Sequence, residues 1–212
     1  MKKEMRVPAP LVVLCALAAA WAGCATPRSA HYVLNPLASA SPMTADYAVS
    51  VGPVSVPEIV DRPQIVVRAG PHQVFFDEFH RWGTPLADDI ARVVAENLGR
   101  LLGTSRVSAH PRPEGADVRY RVRVDVAAFE SAPGEAAALD AAWVVTDTRD
   151  GAVRRGRSGA REEAREGGYP ALAAAHSRAL EKLSVDIAAA IREMEGASTP
   201  RSPAPGSGET GR

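Results

Sequence analysis

Cys24 has the setting that points most directly to chemistry. It follows Ala22 and Gly23, whose small side chains let a backbone enter a peptidase cleft. Upstream lie Lys2, Lys3 and Arg6, then an apolar run from Leu11 to Trp21 that is too short and alanine-rich for a stable spanning helix. A basic start, an apolar core and a small-small-cysteine close predict export, diacylglyceryl transfer to the Cys24 thiol, and cleavage before Cys24. Trp21 departs from the Leu that is usual at that place. Cys15 follows the large Leu14 and leaves with the leader, so the mature chain holds no free thiol and no disulfide. A single acyl chain binds a bilayer marginally, at about 0.8 kcal/mol per buried CH₂, whereas two or three hold stably. Ala25, rather than Asp, follows the cysteine, and the sorting habit of Gram-negative envelopes then sends the protein to the outer membrane.

Other reactive side chains form no motif. Of five histidines, His72 falls in a turn, His110 lies beside Pro111 in a loop, and His176 sits on a helix where a packed imidazole is expected. Glu78 and His80 flank Phe79, but no second histidine stands at the helical spacing a zinc site needs. There is no Gly-x-Ser-x-Gly elbow, and Gly167-Gly168 lacks the downstream Lys-Ser/Thr of a phosphate loop. The expectation is no catalytic residue, no metal and no cofactor.

Two polar features remain. Arg154, Arg155, Arg157, Arg161 and Arg165, interrupted by Glu162, Glu163 and Glu166, suit either anionic headgroups or a partner's acidic patch. The plainer reading is a strand edge defended by charge. Arg81-Trp82-Gly83-Thr84-Pro85-Leu86 can lock a helix start by stacking, or supply interface anchors, since Trp and Arg are the types most often found there.

The elements that position these residues follow from periodicity. Val118, Tyr120, Val122, Val124 and Val126 alternate with Arg119, Arg121, Arg123 and Asp125, which predicts a strand with one face open to water or a partner. Tyr32–Leu34 and Tyr47–Val51 read as short strands, the latter broken by Gly52-Pro53. Gln64–Arg68 and Gln73–Phe76 read as a hairpin around residues 69–72. Residues 139–146 and 151–159 supply two more antiparallel strands. Thr84 can cap a helix with Pro85 at its first position and Asp88 and Asp89 in its first turn; Gly103 closes it. A second helix from near Pro170 carries Leu172, His176, Leu180, Leu183, Ile187, Ile191 and Met194 on one side. The predicted fold is α+β, an antiparallel or mixed sheet with two long helices packed on one face.

The chain divides into a leader (1–23), a lipidated tether (24–31), one domain (32–195) and a tail (196–212). That tail is rich in Pro, Gly and Ser and has no large apolar residue to offset its ordering entropy, so it is expected to be disordered. Basic and acidic residues balance at 25 each, and loss of Lys2, Lys3, Arg6 and Glu4 with the leader leaves a mild acidic excess. Nucleic acid is therefore not an expected partner.

Tyr32-Val33-Leu34, Val51-Gly52-Pro53-Val54, Asp61-Arg62-Pro63-Gln64-Ile65-Val66, Arg81-Trp82 with Pro85-Leu86, and Leu183-Ser184 together resemble the PqiC family, the ABC-type transport auxiliary lipoproteins. The resemblance covers the mature chain to about Met194. Gly83 stands where Ala is more usual, and the tail is an extension. The resemblance implies an outer-membrane lipoprotein facing the periplasm that docks a PqiB-like MCE-domain protein, and through it an inner-membrane transporter, in moving lipid between membranes. It points to Arg62, Pro63, Gln64, Arg81 and Trp82 as partner-binding residues. MCE proteins form rings, which a homo-oligomer of the lipoprotein would match. The alternative is a carrier that itself holds an acyl chain.

Overall fold

The computed structural model describes residues 28–42, 44–109, 117–165 and 167–198. The leader, Cys24, His110, Glu166 and the chain beyond residue 198 lie outside the described residues.

Alternation is strongest where the sheet has its central strand. β6 (Tyr120–Ala132) buries Tyr120, Val122, Val124 and Val126 and turns Arg123 and Asp125 to solvent. β7 (Ala136–Asp147) and β8 (Val153–Glu163) continue from it as an antiparallel meander, with β8 at the edge. The other side of β6 is shared. β2 (Val49–Ser55) runs parallel along its first half, with Val51 opposite Val122, while β3 (Gln64–Gly70) is parallel to its far end, with Val67 opposite Ser131. A bulge between Val126 and Ala128 bends β6 between these partners and curls the sheet into a half-barrel. β4 (Gln73–Trp82) pairs antiparallel with β3, and β1 (Ala30–Tyr32) lies parallel along its outer edge. β5 (Val107–Ser108) adds to β2.

Helices α1 (Leu86–Leu102) and α2 (Gly168–Ser198) cover one face, as the two apolar stripes require. Every residue of the α2 stripe is buried, His176 included. Its aliphatic members each contribute about 1.5–3 kcal/mol of burial before chain entropy is charged. Polar positions of α1 serve the segment between β1 and β2. Asp89 accepts from the Leu34 N–H at 2.9 Å, Asn97 accepts from the Ala38 N–H at 3.0 Å, and Arg92 donates to the Leu34 carbonyl at 2.6 Å. These side chains replace the ladder bonds that a segment without secondary structure lacks.

Four expectations need correction. Gly52-Pro53 does not end β2, because the register against β6 slips between Val51 and Val54 and the strand resumes. Thr84 is not the cap of α1: Pro85 occupies the cap position with extended ψ, no side-chain bond closes that end, and Gly103 closes the other at φ 67°. Arg119 leaves the open face, since it lies just before β6 and turns inward to Asp147 (3.3 Å) and Glu195. α2 runs on through Ser198, past the tail boundary expected at residue 196.

Candidate functional site

Arg62, Pro63, Gln64, Arg81 and Trp82 come from two segments, and the β3–β4 pairing brings them together. Gln64 stands opposite Arg81, and the Trp82 N–H donates to the Pro63 carbonyl at 2.7 Å. Gln64 and Arg81 each donate to Glu78 Oε2 at 3.3 Å, and Arg81 Nε donates to the Glu78 carbonyl at 3.0 Å. The Arg62 guanidinium lies 4.2 Å from the centre of the Phe76 ring. Arg81 thus turns back to its own strand. Trp82 is the exception at this surface. Its indole is buried edge-on to Phe129 (6.0 Å) and His176 (6.2 Å), so it supports the surface from beneath.

The strand makes this cluster by swelling. Ile65 faces Asp77 and the next residue back, Gln64, faces Arg81, so Glu78, Phe79 and His80 are extra on β4. Asp77 ties the bulge, with Oδ1 accepting from the Phe79 and His80 N–H groups at 2.9 and 3.0 Å. Its other oxygen accepts from the Tyr169 hydroxyl, and His80 Nδ1 lies 2.9 Å from Oδ1. Burial alone would raise the Asp77 carboxyl. The bonds from Tyr169, His80 and the Phe79 N–H outweigh it and hold the group at about 2. His80 stacks on Tyr169 (3.9 Å) and on Tyr32 (5.8 Å), which fastens β1 and the start of α2 to the same point. Gly83 belongs here too: its N–H donates to the Tyr32 carbonyl at 2.7 Å, and a Cβ would stand 3.1 Å from Val33. Asp77 and Tyr169 carry no motif, and only the fold reveals them.

Beside the cluster, Pro57, Ile59, Val60, Val66, Val74 and Phe129, together with Arg68 and Glu130, line a cleft of about 220 Å³. That is below the ~300–1,000 Å³ of sites that engulf a small molecule. Ser131 and His176 form a second pairing that sequence reasoning missed. Oγ and Nε2 are 2.8 Å apart, both side chains are buried, and burial lowers the imidazole to about 3. A neutral, sealed imidazole with no bond to its Nδ1 among the described residues packs the core; it has no route to a substrate. The basic run lies along the β8 edge. Arg157 pairs with Asp140 (2.7 Å from Nε), Arg161 with Glu135 (3.6 Å) and Arg165 with Glu163 (2.6 Å). No group of three metal-ligating side chains is found among the described residues, and none of their helices is long and apolar enough to cross a membrane.

A family model described as the ABC-type transport auxiliary lipoprotein component matches residues 32–188. Among curated proteins none matches. The crystal structure of an uncharacterized protein superposes with a TM-score of 0.65 at 19% identity, covering 77% of this chain and 99% of that one. A protein of Xanthomonas campestris gives 0.64 at 20% identity, covering 81% and 100%. At these identities the likeness speaks for the fold.

Proposed function

This chain belongs to the ABC-type transport auxiliary lipoprotein component family, and from that premise we propose that it is an outer-membrane lipoprotein, held through Cys24 and facing the periplasm, that docks a PqiB-like MCE-domain protein. Membership makes it a transport-associated lipoprotein with partners in a transporter. The docking role and the membrane are our reading. The observation that carries it is the gathering of Arg62, Pro63, Gln64 and Arg81 from two separated segments onto one surface beside the strand that leads back to Cys24. Glu78 holds Gln64 and Arg81 in place, so little side-chain freedom remains to be lost when a partner binds.

The test is retention of an MCE-domain protein by the purified lipoprotein, alone and with Arg62→Glu and Arg81→Glu together. Half-buried arginines acting as anchors predict binding about tenfold weaker or worse in the double variant. Retention of no MCE-domain protein, or equal retention by both forms, overturns the proposal. The carrier reading asks more of the molecule than the 220 Å³ cleft offers. Phospholipid that stays with the purified chain would favour it instead.

A further inference from the structure

The β3–β4 hairpin carries its apolar side chains outward. Phe75 is 56% exposed, and Val74 (38%), Phe76 (37%) and Phe79 (42%) accompany it on the same strand. Val74 and Phe76 point to one side of the hairpin and Phe75 to the other. One exposed apolar residue needs no explanation; four on one ten-residue strand do. Charge is segregated along the same hairpin. Between Gln64 and Phe76 the only titratable side chains are Arg68, which pairs with Glu130 of β6, and His72, and the hairpin's own carboxylates enter at Asp77 and Glu78, at the foot.

The direction of β1 says what this tip faces. β1 is parallel to β4, with Ala30 opposite His80, so β1 read backward points along β4 toward Gln73. From His80 back to Gln73 the strand is roughly 20 Å long at about 3.3 Å per residue. From Ala30 back to Cys24 the chain reaches at most about 20 Å. The acylated residue can therefore lie level with the hairpin tip and no farther.

We propose that the β3–β4 tip is a second, protein-borne membrane contact, in which Val74, Phe75 and Phe76 enter the headgroup region of the phospholipid bilayer that takes the acyl chains of Cys24. The inference rests on the reading of Cys24 as lipidated. Two contacts fix the domain's pose, where a lipid alone would let it swivel. The first residues of β6, with Arg121 and Arg123, then lie at the end away from the bilayer, because β6 runs parallel to β3 and ends near the tip.

The mature chain has no cysteine besides Cys24, so Phe75→Cys supplies a unique thiol for an environment-sensitive fluorophore. The labelled lipoprotein is placed in vesicles of phosphatidylethanolamine with a minority of phosphatidylglycerol. The expected result is a blue-shifted emission that loses most of its intensity to lipids spin-labelled just below the headgroup. His72→Cys, in the turn itself, should behave alike without touching the packing. Val153→Cys, exposed at the start of β8, should stay water-like. A water-like probe at Phe75 and His72 overturns the proposal. So does a blue shift that spin-labelled lipid does not quench, which places a second copy of the chain on the hairpin. Mass measurement of the same sample separates the two readings: without the diacylglyceryl increment on Cys24 the anchor fails and this proposal falls with it.

Discussion

His176 lies flat against Phe129, with ring centroids 3.7 Å apart, and meets solvent nowhere. Burial lowers its pKa from 6.5 to about 3. In the unfolded chain the imidazole takes up a proton as pH falls below about 6.5; in the folded chain it does so only near 3. Protonation thus favours unfolding. The contribution to stability is complete above pH 6.5 and declines on acidification by about 1.4 kcal/mol per pH unit. Between pH 7.5 and 5 the loss is about 2 kcal/mol. Asp77 does not confuse this window. Its depressed carboxyl contributes stability above 3.8 and loses it only as pH falls toward about 2. Denaturant unfolding at the two pH values checks the expectation, with His176→Gln as the comparison. The variant is less stable at both, but the difference between the two pH values should shrink by about 2 kcal/mol. An unchanged difference would mean that the acid sensitivity arises elsewhere.

At the scale of elements, Gly156 shows why one residue of β8 is fixed by β7. The two strands pair Trp143 with Gly156, and a Cβ on that glycine would stand 2.2 Å from the indole. The ring cannot withdraw freely, because its N–H donates to Ser158 Oγ at 3.0 Å, and that hydroxyl donates to Asp186 on α2 at 2.5 Å. Gly156→Ala should cost about 1–3 kcal/mol, as overpacked sites do. In the double variant with Trp143→Leu the two effects should fall short of additive, which thermal or denaturant unfolding can measure. What could be read in advance divides along the same line. β6, β7 and both helices were legible because each has one apolar face, and period two or 3.6 marks it directly. The parallel pairings of β2 and β3 with β6 were not, since partners distant in sequence leave no local signature. Arg119 was misplaced because alternation takes no account of Asp147 and Glu195, which make an inward arginine affordable. The candidate cluster was half legible: its five residues were visible in the sequence, but Glu78 and Asp77, which set their geometry, are carboxylates like any others until the bulge forms.

Across the whole molecule, β1 and the last turns of α2 lie at opposite ends of the fold. β1 enters from the hairpin end, while α2, about 46 Å long at 1.5 Å per residue, begins with Tyr169 beside Asp77 and finishes with Glu195 against Arg119 and Tyr120. On the proposed lipidation of Cys24, the domain is a post, with the lipid toward the β1 end and the last turns of α2 at the other. Stability and attachment are separate properties of such a shape. The core lies between β6 and the helices, and among the described residues it begins at Leu34, with Tyr32 packed against it. Cys24→Ser should leave the unfolding transition of the domain unchanged while abolishing acylation and processing at that site. Membrane fractionation, with an unfolding curve on the same material, checks both halves. If the hairpin contributes a membrane contact, a Cys24→Ser chain freed of its leader should keep a weak, reversible affinity for vesicles, and Phe75→Ser with Phe76→Ser should remove it. Removing two phenylalanines worth about 1.5–3 kcal/mol each when fully buried would weaken that residual binding by tenfold or more. Residual binding that ignores the two substitutions would assign it to some other surface of the post, and the orientation argued from β1 would no longer hold.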